Sequence, residues 1–470
     1  MNAKTDTAPN PSGLQGTPVA PVGAPRALWK TFLFFLAPML LSNILQSLSG
    51  TLNNIYIGQM IGVTALAAVS SFFPVFFFFI AFVIGLGAGA SVLIGQAWGA
   101  RDVARAKAVA GTTLSVGILM GLVIAVFGGA FTTPLLAALG TPPDVLAEAT
   151  RYARIMLIAM PGVFVFLIST AMLRGVGDTV TPLLTLLIST TIGMLVTPAL
   201  IRGWGGLPQL GVTSGAWGSV LSFLVATLWL GWRLRQRNSP LAPDAAFLRS
   251  MRIDPQLLKT VLKVGVPTGV QMIVVALAEV VLLSLVNGYG SSATAAYGAV
   301  NQVVAYVQFP AISIAITASI LGAQAIGAGR ADRLGAIART ALMMNLLLTG
   351  GLVLLGYLFS RPLMGFFITS APVIEIAQEL LHIMLWSLVI FGMASALSGI
   401  MRASGSVLVP TLISIACLLG LEVPVAWFMS HRIGLDGIWY AYPVTFGAML
   451  LLQTAYYQLV WRKKAIKRLV

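Results

Sequence analysis

Residues 91–110 read SVLIGQAWGARDVARAKAVA, and residues 319–338 read SILGAQAIGAGRADRLGAIA. At a shift of 228, Gln96 falls on Gln324 and Gly99 on Gly327. The same shift lays LRGVGDTVTP (173–182) over MRASGSVLVP (401–410), pairing Arg174, Gly177 and Pro182 with Arg402, Gly405 and Pro410. Near the same shift ALAAV at 65–69 answers TAAYG at 294–298, and later, at a shift of 222, GAWGS at 215–219 answers GIWYA at 437–441. One such match is chance. Several in one register mark an internal duplication.

What is duplicated follows from composition. The 470 residues are 58% hydrophobic and 9% charged, and mean hydropathy is +0.94. A soluble domain is about 25% charged, so a soluble enzyme is excluded and bilayer hydrocarbon is the expected solvent. Twelve apolar stretches reach the roughly 20 residues a spanning helix needs: about 30–58, 63–97, 104–130, 145–173, 179–203, 211–235, 257–287, 291–327, 333–360, 373–401, 406–430 and 435–461. Unbroken runs such as FFPVFFFFIAFVIGLGAGA (72–90) rule out the short alternating strands of a β-barrel. The expected fold is an all-α integral membrane protein of twelve transmembrane helices in two pseudo-symmetric six-helix bundles.

Six is even, so the halves share one orientation, and transporters built from parallel repeats bind substrate between the halves near the midplane. The expected organisation is a disordered cytoplasmic tail (1–28), an N-lobe (29–236), a cytoplasmic linker (237–256), a C-lobe (257–462) and a basic cytoplasmic tail (463–470). The linker is marked by RQRNSPLAPD at 235–244, the longest polar connection.

The net charge of +15 would suggest nucleic acid in a soluble protein. Here it reads as topology. With the N-terminus cytoplasmic, 23 of the 28 Lys and Arg fall on that side, leaving Arg151, Arg154, Arg202, Arg361 and Arg432 opposite. Both termini are therefore expected in the cytoplasm, and no nucleic-acid partner is expected. Cys417 is the single cysteine and His382 and His431 the only histidines, so neither a disulfide nor a His/Cys metal site is expected. GARDVAR and GAGRADR lack the GK[ST] of a phosphate loop and read as tight cytoplasmic turns.

Most of the 13 acidic residues fall in loops or near the outer face. Glu279, mid-helix in QMIVVALAEVVLLSLVNGYG (271–290), and Glu422, in GLEVP, lie within spans. Intramembrane carboxylates are costly and are functional by default. Glu279 is the candidate for a coupling ion or proton, or a counter-charge for a cation; the alternative is a structural glutamate bonded to a neighbouring helix. Glu422 is the secondary candidate, expected in the outer third of its span, partly hydrated, with a structural or vestibule role. In the first span, Asn43, Gln46, Ser47, Gly50, Asn53 and Asn54 share one face. They suit either substrate contact or helix–helix adhesion. Gln271, Asn287 and Gln302 complete the polar cavity candidates.

FLAPMLLSNILQSLSGTLNNIYIGQMIGVTALAAVSSFFP (35–74), GQAWGARD (95–102), LRGVGDTVTP, GVTSGAWGS (211–219) and their echoes resemble the multidrug and toxic compound extrusion (MATE) family over about residues 30–460. The resemblance implies a V-shaped pair of lobes. It also implies export of varied, often cationic compounds driven by inward H⁺ or Na⁺, with no other cofactor. It implies a Glu in the seventh span, with the usual position falling nearer Val275. It further places Asn53 and Thr197 where aspartates are common, so the N-lobe lacks both acids, and neither replacement exchanges a proton. The implied product is a multi-pass plasma-membrane exporter, expected as a monomer, with small molecules and the bilayer as partners. The alternatives are a lipid or lipid-linked-sugar flippase of the same wider superfamily, a membrane enzyme, or a pore. A flippase calls for several cavity cations, and an enzyme for a clustered His, Asp or Ser.

Overall fold

A computed structural model describes residues 25–470; the expected tail falls largely outside that range, and the first helix begins at Pro25. The described residues are helical almost throughout. In chain order the N-terminal half comprises α1 (Pro25–Met60), α2 (Val63–Gly99), α3 (Val103–Gly128), α4, α5 (Val180–Arg202) and α6 (Thr213–Gln236). The C-terminal half comprises α7 (Pro255–Asn287), α8 (Ser291–Gly327), α9 (Ala331–Leu358), α10 (Ala371–Ala403), α11 (Leu408–Ile433) and α12 (Leu435–Lys463). Eleven of these are each long and apolar enough to cross a membrane. The twelfth, α4, is a pair, Pro143–Ile158 and Met160–Gly175, bent by 52°. Pro161 stands at the second position of the second segment, where its missing N–H removes a backbone bond across the break.

The loop acids have a local task. Asp102, Asp244 and Asp254 accept backbone N–H bonds at the starts of α3, the short linker helix Ala245–Ser250 and α7. Asp178 accepts from the N–H and hydroxyl of Thr181 at the start of α5. A carboxylate there satisfies orphan donors and favours the positive end of the helix dipole.

The duplication is visible in the backbone. Gly177 (φ 92°) and Gly405 (φ 79°) leave α4 and α10 in the left-handed region, which glycine adopts without a Cβ penalty. Arg101 (φ 61°) and Gly329 (φ 72°) occupy equivalent turns after α2 and α8.

The lobes meet at the end where α2 and α8 finish and α7 begins. There α2 and α7 approach backbone to backbone: a Cβ on Gly265 would lie 2.6 Å from the Gly85 carbonyl, and one on Gly269 3.1 Å from that of Ala81. A Cβ on Gly99 would collide with the Gln324 backbone, and one on Gly327 with that of Gln96. Small residues permit such approach, which is how helices associate where lipid removes the hydrophobic drive. Buried residues of both halves, among them Phe32, Ile94, Ile314 and Ala318, form one core across this end. A separate core holds the far end of the C-lobe. The result is a V of two six-helix lobes joined at one end.

The connection between the lobes is docked. Ser250 Oγ donates to the Lys107 carbonyl (3.3 Å), and Thr112 Oγ donates to the Arg252 carbonyl (3.0 Å). Lys107 and Asp244 form an ion pair at 3.9 Å. Residues 244–252 are thereby held against α3.

Candidate functional site

Two polar sites flank the V, one in each lobe. The C-lobe site is built on Glu279 of α7. Tyr297 of α8 donates to Glu279 Oε2 at 2.5 Å, and Tyr442 of α12 donates to the same oxygen at 3.2 Å. The two hydroxyls lie 2.9 Å apart. Tyr297 is locked by a stacked contact with Trp439 (centroids 5.7 Å, planes 10° apart), and Tyr442 packs on Phe446. Both tyrosines and Trp439 are buried. Three helices thus set one carboxyl oxygen and two phenols in a triangle.

Glu422 belongs to the same neighbourhood, contrary to the expectation of a partly hydrated outer position. It is 1% exposed, and its Oε2 has no partner among the described residues. The cause is local. α11 winds as a π-helix over Leu418–Glu422, and Pro424 follows. The wider turn rotates Glu422 inward, and the helix continues eleven residues to Ile433, about 16 Å of rise. Glu422 and Glu279 lie within coulombic range of one another, and Tyr442 within range of both.

The N-lobe site is a cavity of about 300 Å³ enclosed by α1, α2, α4, α5 and α6. Asn53 and Thr197, the two positions where the family pattern implies aspartates, both line it. Tyr152 lines the same cavity as Asn53, and Thr197 is packed against Gly218, where a Cβ would overlap its hydroxyl. Phe72, Phe166 and Phe223 supply much of the apolar wall, and Gln46 and Asn54 also line the cavity. No Asp, Glu, Lys, Arg or His is among the lining residues. The cavity is aromatic and amide-rich, suited to flat apolar molecules with a few hydrogen-bonding groups.

The other candidates separate. Asn43 bridges the lobes, its Nδ2 donating to Ser313 Oγ of α8 at 2.9 Å. Asn287 sits exposed at the end of α7, where Oδ1 accepts from Thr294 across the turn. Gln271 is half-buried and Gln302 exposed, neither with a side-chain hydrogen bond among the described residues. Sequence reasoning missed Tyr297 and Tyr442, the direct partners of Glu279.

A two-lobed helical membrane protein with intramembrane acid in one lobe and a drug-sized cavity in the other is a transporter rather than an enzyme. The MatE family model matches residues 38–199 and again 267–428, and the chain belongs to that family. It is 46% identical over 446 residues to the probable multidrug resistance protein YoeA of Bacillus subtilis, covering 94% of this chain and 96% of that one. It is 24% identical over 418 residues to the multidrug export protein MepA of Staphylococcus aureus, covering 87% and 89%. A crystal structure of a mutant form of the Vibrio cholerae MATE transporter VcmN superposes with a TM-score of 0.87, at 21% identity, over 94% of this chain and 99% of that one.

Proposed function

We propose that this chain is a secondary antiporter of the plasma membrane, exporting organic, cationic or amphipathic compounds in exchange for H⁺ or Na⁺. Glu279 is the exchange site, and the N-lobe cavity receives the aromatic body of the substrate. The chain acts as a monomer, with both termini cytoplasmic. The V is then closed toward the cytoplasm and open outward, one of two states that alternate as the lobes rock.

The observation that carries the reading is the triangle at Glu279. Three oxygens make three contacts, and a closed ring of hydrogen bonds needs three protons. Two phenols supply two, which both point at the carboxylate when it is ionised. A protonated Glu279 supplies the third and closes the ring by donating to Tyr442, which donates to Tyr297, which donates back. The site therefore accommodates both protonation states with hydroxyl rotations alone, as reversible proton loading requires. This favours H⁺ over Na⁺. Glu422 provides a second acid within electrostatic range.

The test is transport of a cationic dye in proteoliposomes under separate H⁺ and Na⁺ gradients. A pH gradient drives dye movement in the native protein and fails to do so in Glu279→Gln. Indifference of the native protein to both gradients would remove the antiport reading.

A further inference from the structure

Of the expected basic tail (463–470), Lys463 ends α12 and residues 464–470 fold back under the closed end of the V. Trp461 Nε1 donates to Ser404 Oγ at 2.9 Å and turns the chain at the end of α12. The following residues leave Lys467 and Arg468 exposed, while Ile466, Leu469 and Val470 pack against the core that both lobes share. The Leu469 side chain rests on Gly405, a Cβ on which would lie 2.8 Å from Leu469 Cδ1. The Leu469 N–H donates to Gln96 Oε1 at 2.7 Å. Gln96 belongs to the other lobe, is fully buried, and donates through Nε2 to the Ala403 carbonyl at 2.8 Å. Both ends of one buried amide are thus held by the C-lobe.

The repeat shows that this is a particular arrangement of the second half. At the 222-residue shift of the last span, Leu469 is the counterpart of Phe247. Phe247 is also buried, but its N–H donates to Asp244 Oδ1 of its own segment at 2.6 Å.

We infer that residues 466–470 are a latch that holds the lobes together on this face and must release before they separate there. The inference rests on the alternating-access reading but not on the identity of the coupling ion. Opening this face breaks both bonds of Gln96 and pulls Leu469 from its seat. The segment therefore stabilises the closed face directly.

The test reads the distance between the lobes without transport. Spin labels on Ala104→Cys and Ala336→Cys, exposed at the starts of α3 and α9, report separation by double electron–electron resonance. The measurement uses the full chain in nanodiscs with Cys417→Ala. Leu469→Pro removes the N–H and disturbs the leucine's seat while leaving chain length and charge unchanged. It should raise the long-distance population about tenfold relative to the native chain. Deletion of 466–470 should do at least as much, and Lys467→Ala should do nothing. Gly327→Leu, which wedges the lobe contact, fixes the signal of an open face. Leu469→Pro superimposing on the native trace while Gly327→Leu is displaced overturns the latch. No separation even in Gly327→Leu removes the rocking reading, and the latch with it.

Discussion

Tyr297 and Tyr442, from α8 and α12, meet 2.9 Å apart above a single oxygen of Glu279. Neither donor can be lost without leaving a contact of the triangle unmade. A hydrogen bond to a charged group contributes about 1.5–3 kcal/mol. Tyr297→Phe and Tyr442→Phe should each lower gradient-driven dye transport about tenfold. Because they share one acceptor, the double variant should fall less than the product of the two. Initial rates in proteoliposomes measure this.

Glu279→Gln keeps the shape of the side chain and removes its proton chemistry. Cells carrying it should accumulate an exported dye to the level of cells without the transporter. Glu422→Gln should retain partial export, since Glu422 touches Glu279 through its field and not through a shared bond. Dye accumulation in intact cells separates the two, and native-level export by Glu279→Gln would refute the assignment.

The N-lobe cavity carries no charge where the family pattern implies acids. Asn53→Asp should therefore create a cation preference. Binding of a cationic aromatic dye should strengthen at least about tenfold, the equivalent of about 1.4 kcal/mol. A neutral dye of similar shape should change little. Fluorescence titration of the purified variant measures both.

The approach of α2 to α7 depends on glycines with no room for a side chain. Gly265→Leu should push the lobes apart on the closed face and lower thermal stability, because the clash is with the Gly85 backbone and no rotamer relieves it. A melting curve of the detergent-solubilised variant, with labelling of a cysteine introduced by Ala328→Cys in a Cys417→Ala background, reports both effects.

Much of this architecture was legible in the sequence, because the bilayer leaves few ways to satisfy a backbone and the duplication repeats the answer. Gln96, Gln324, Gly99 and Gly327 stood out as repeated residues, and the structure places all four at the lobe contact. Glu279 stood out by elimination, since a spanning segment tolerates few carboxylates. Its tyrosine partners did not, because a tyrosine in an apolar helix carries no period or motif. A usable signal was present nonetheless: Tyr297 falls opposite Val69 at the 228-residue shift and Tyr442 opposite Val220 at the 222-residue shift of the last span, so the cluster sits where the repeats diverge. The depth of Glu422 was illegible for another reason. A π turn shifts the facing of a helix without any requirement on composition.

The contact of the two halves is two-fold: Gln96 Nε2 donates to the carbonyl of Ala403 at 2.8 Å, and Gln324 Nε2 to that of Gly175 at 3.0 Å. Those acceptors are themselves repeat mates. Such reciprocity is the geometry of an isologous homodimer, in which patch i meets j and j meets i. A half-length chain of this fold would close the same junction with a second copy of itself. The covalent connection turns that encounter into an intramolecular one at high effective concentration. It also frees each half to specialise, and the result is an acid in one lobe and an uncharged chamber in the other.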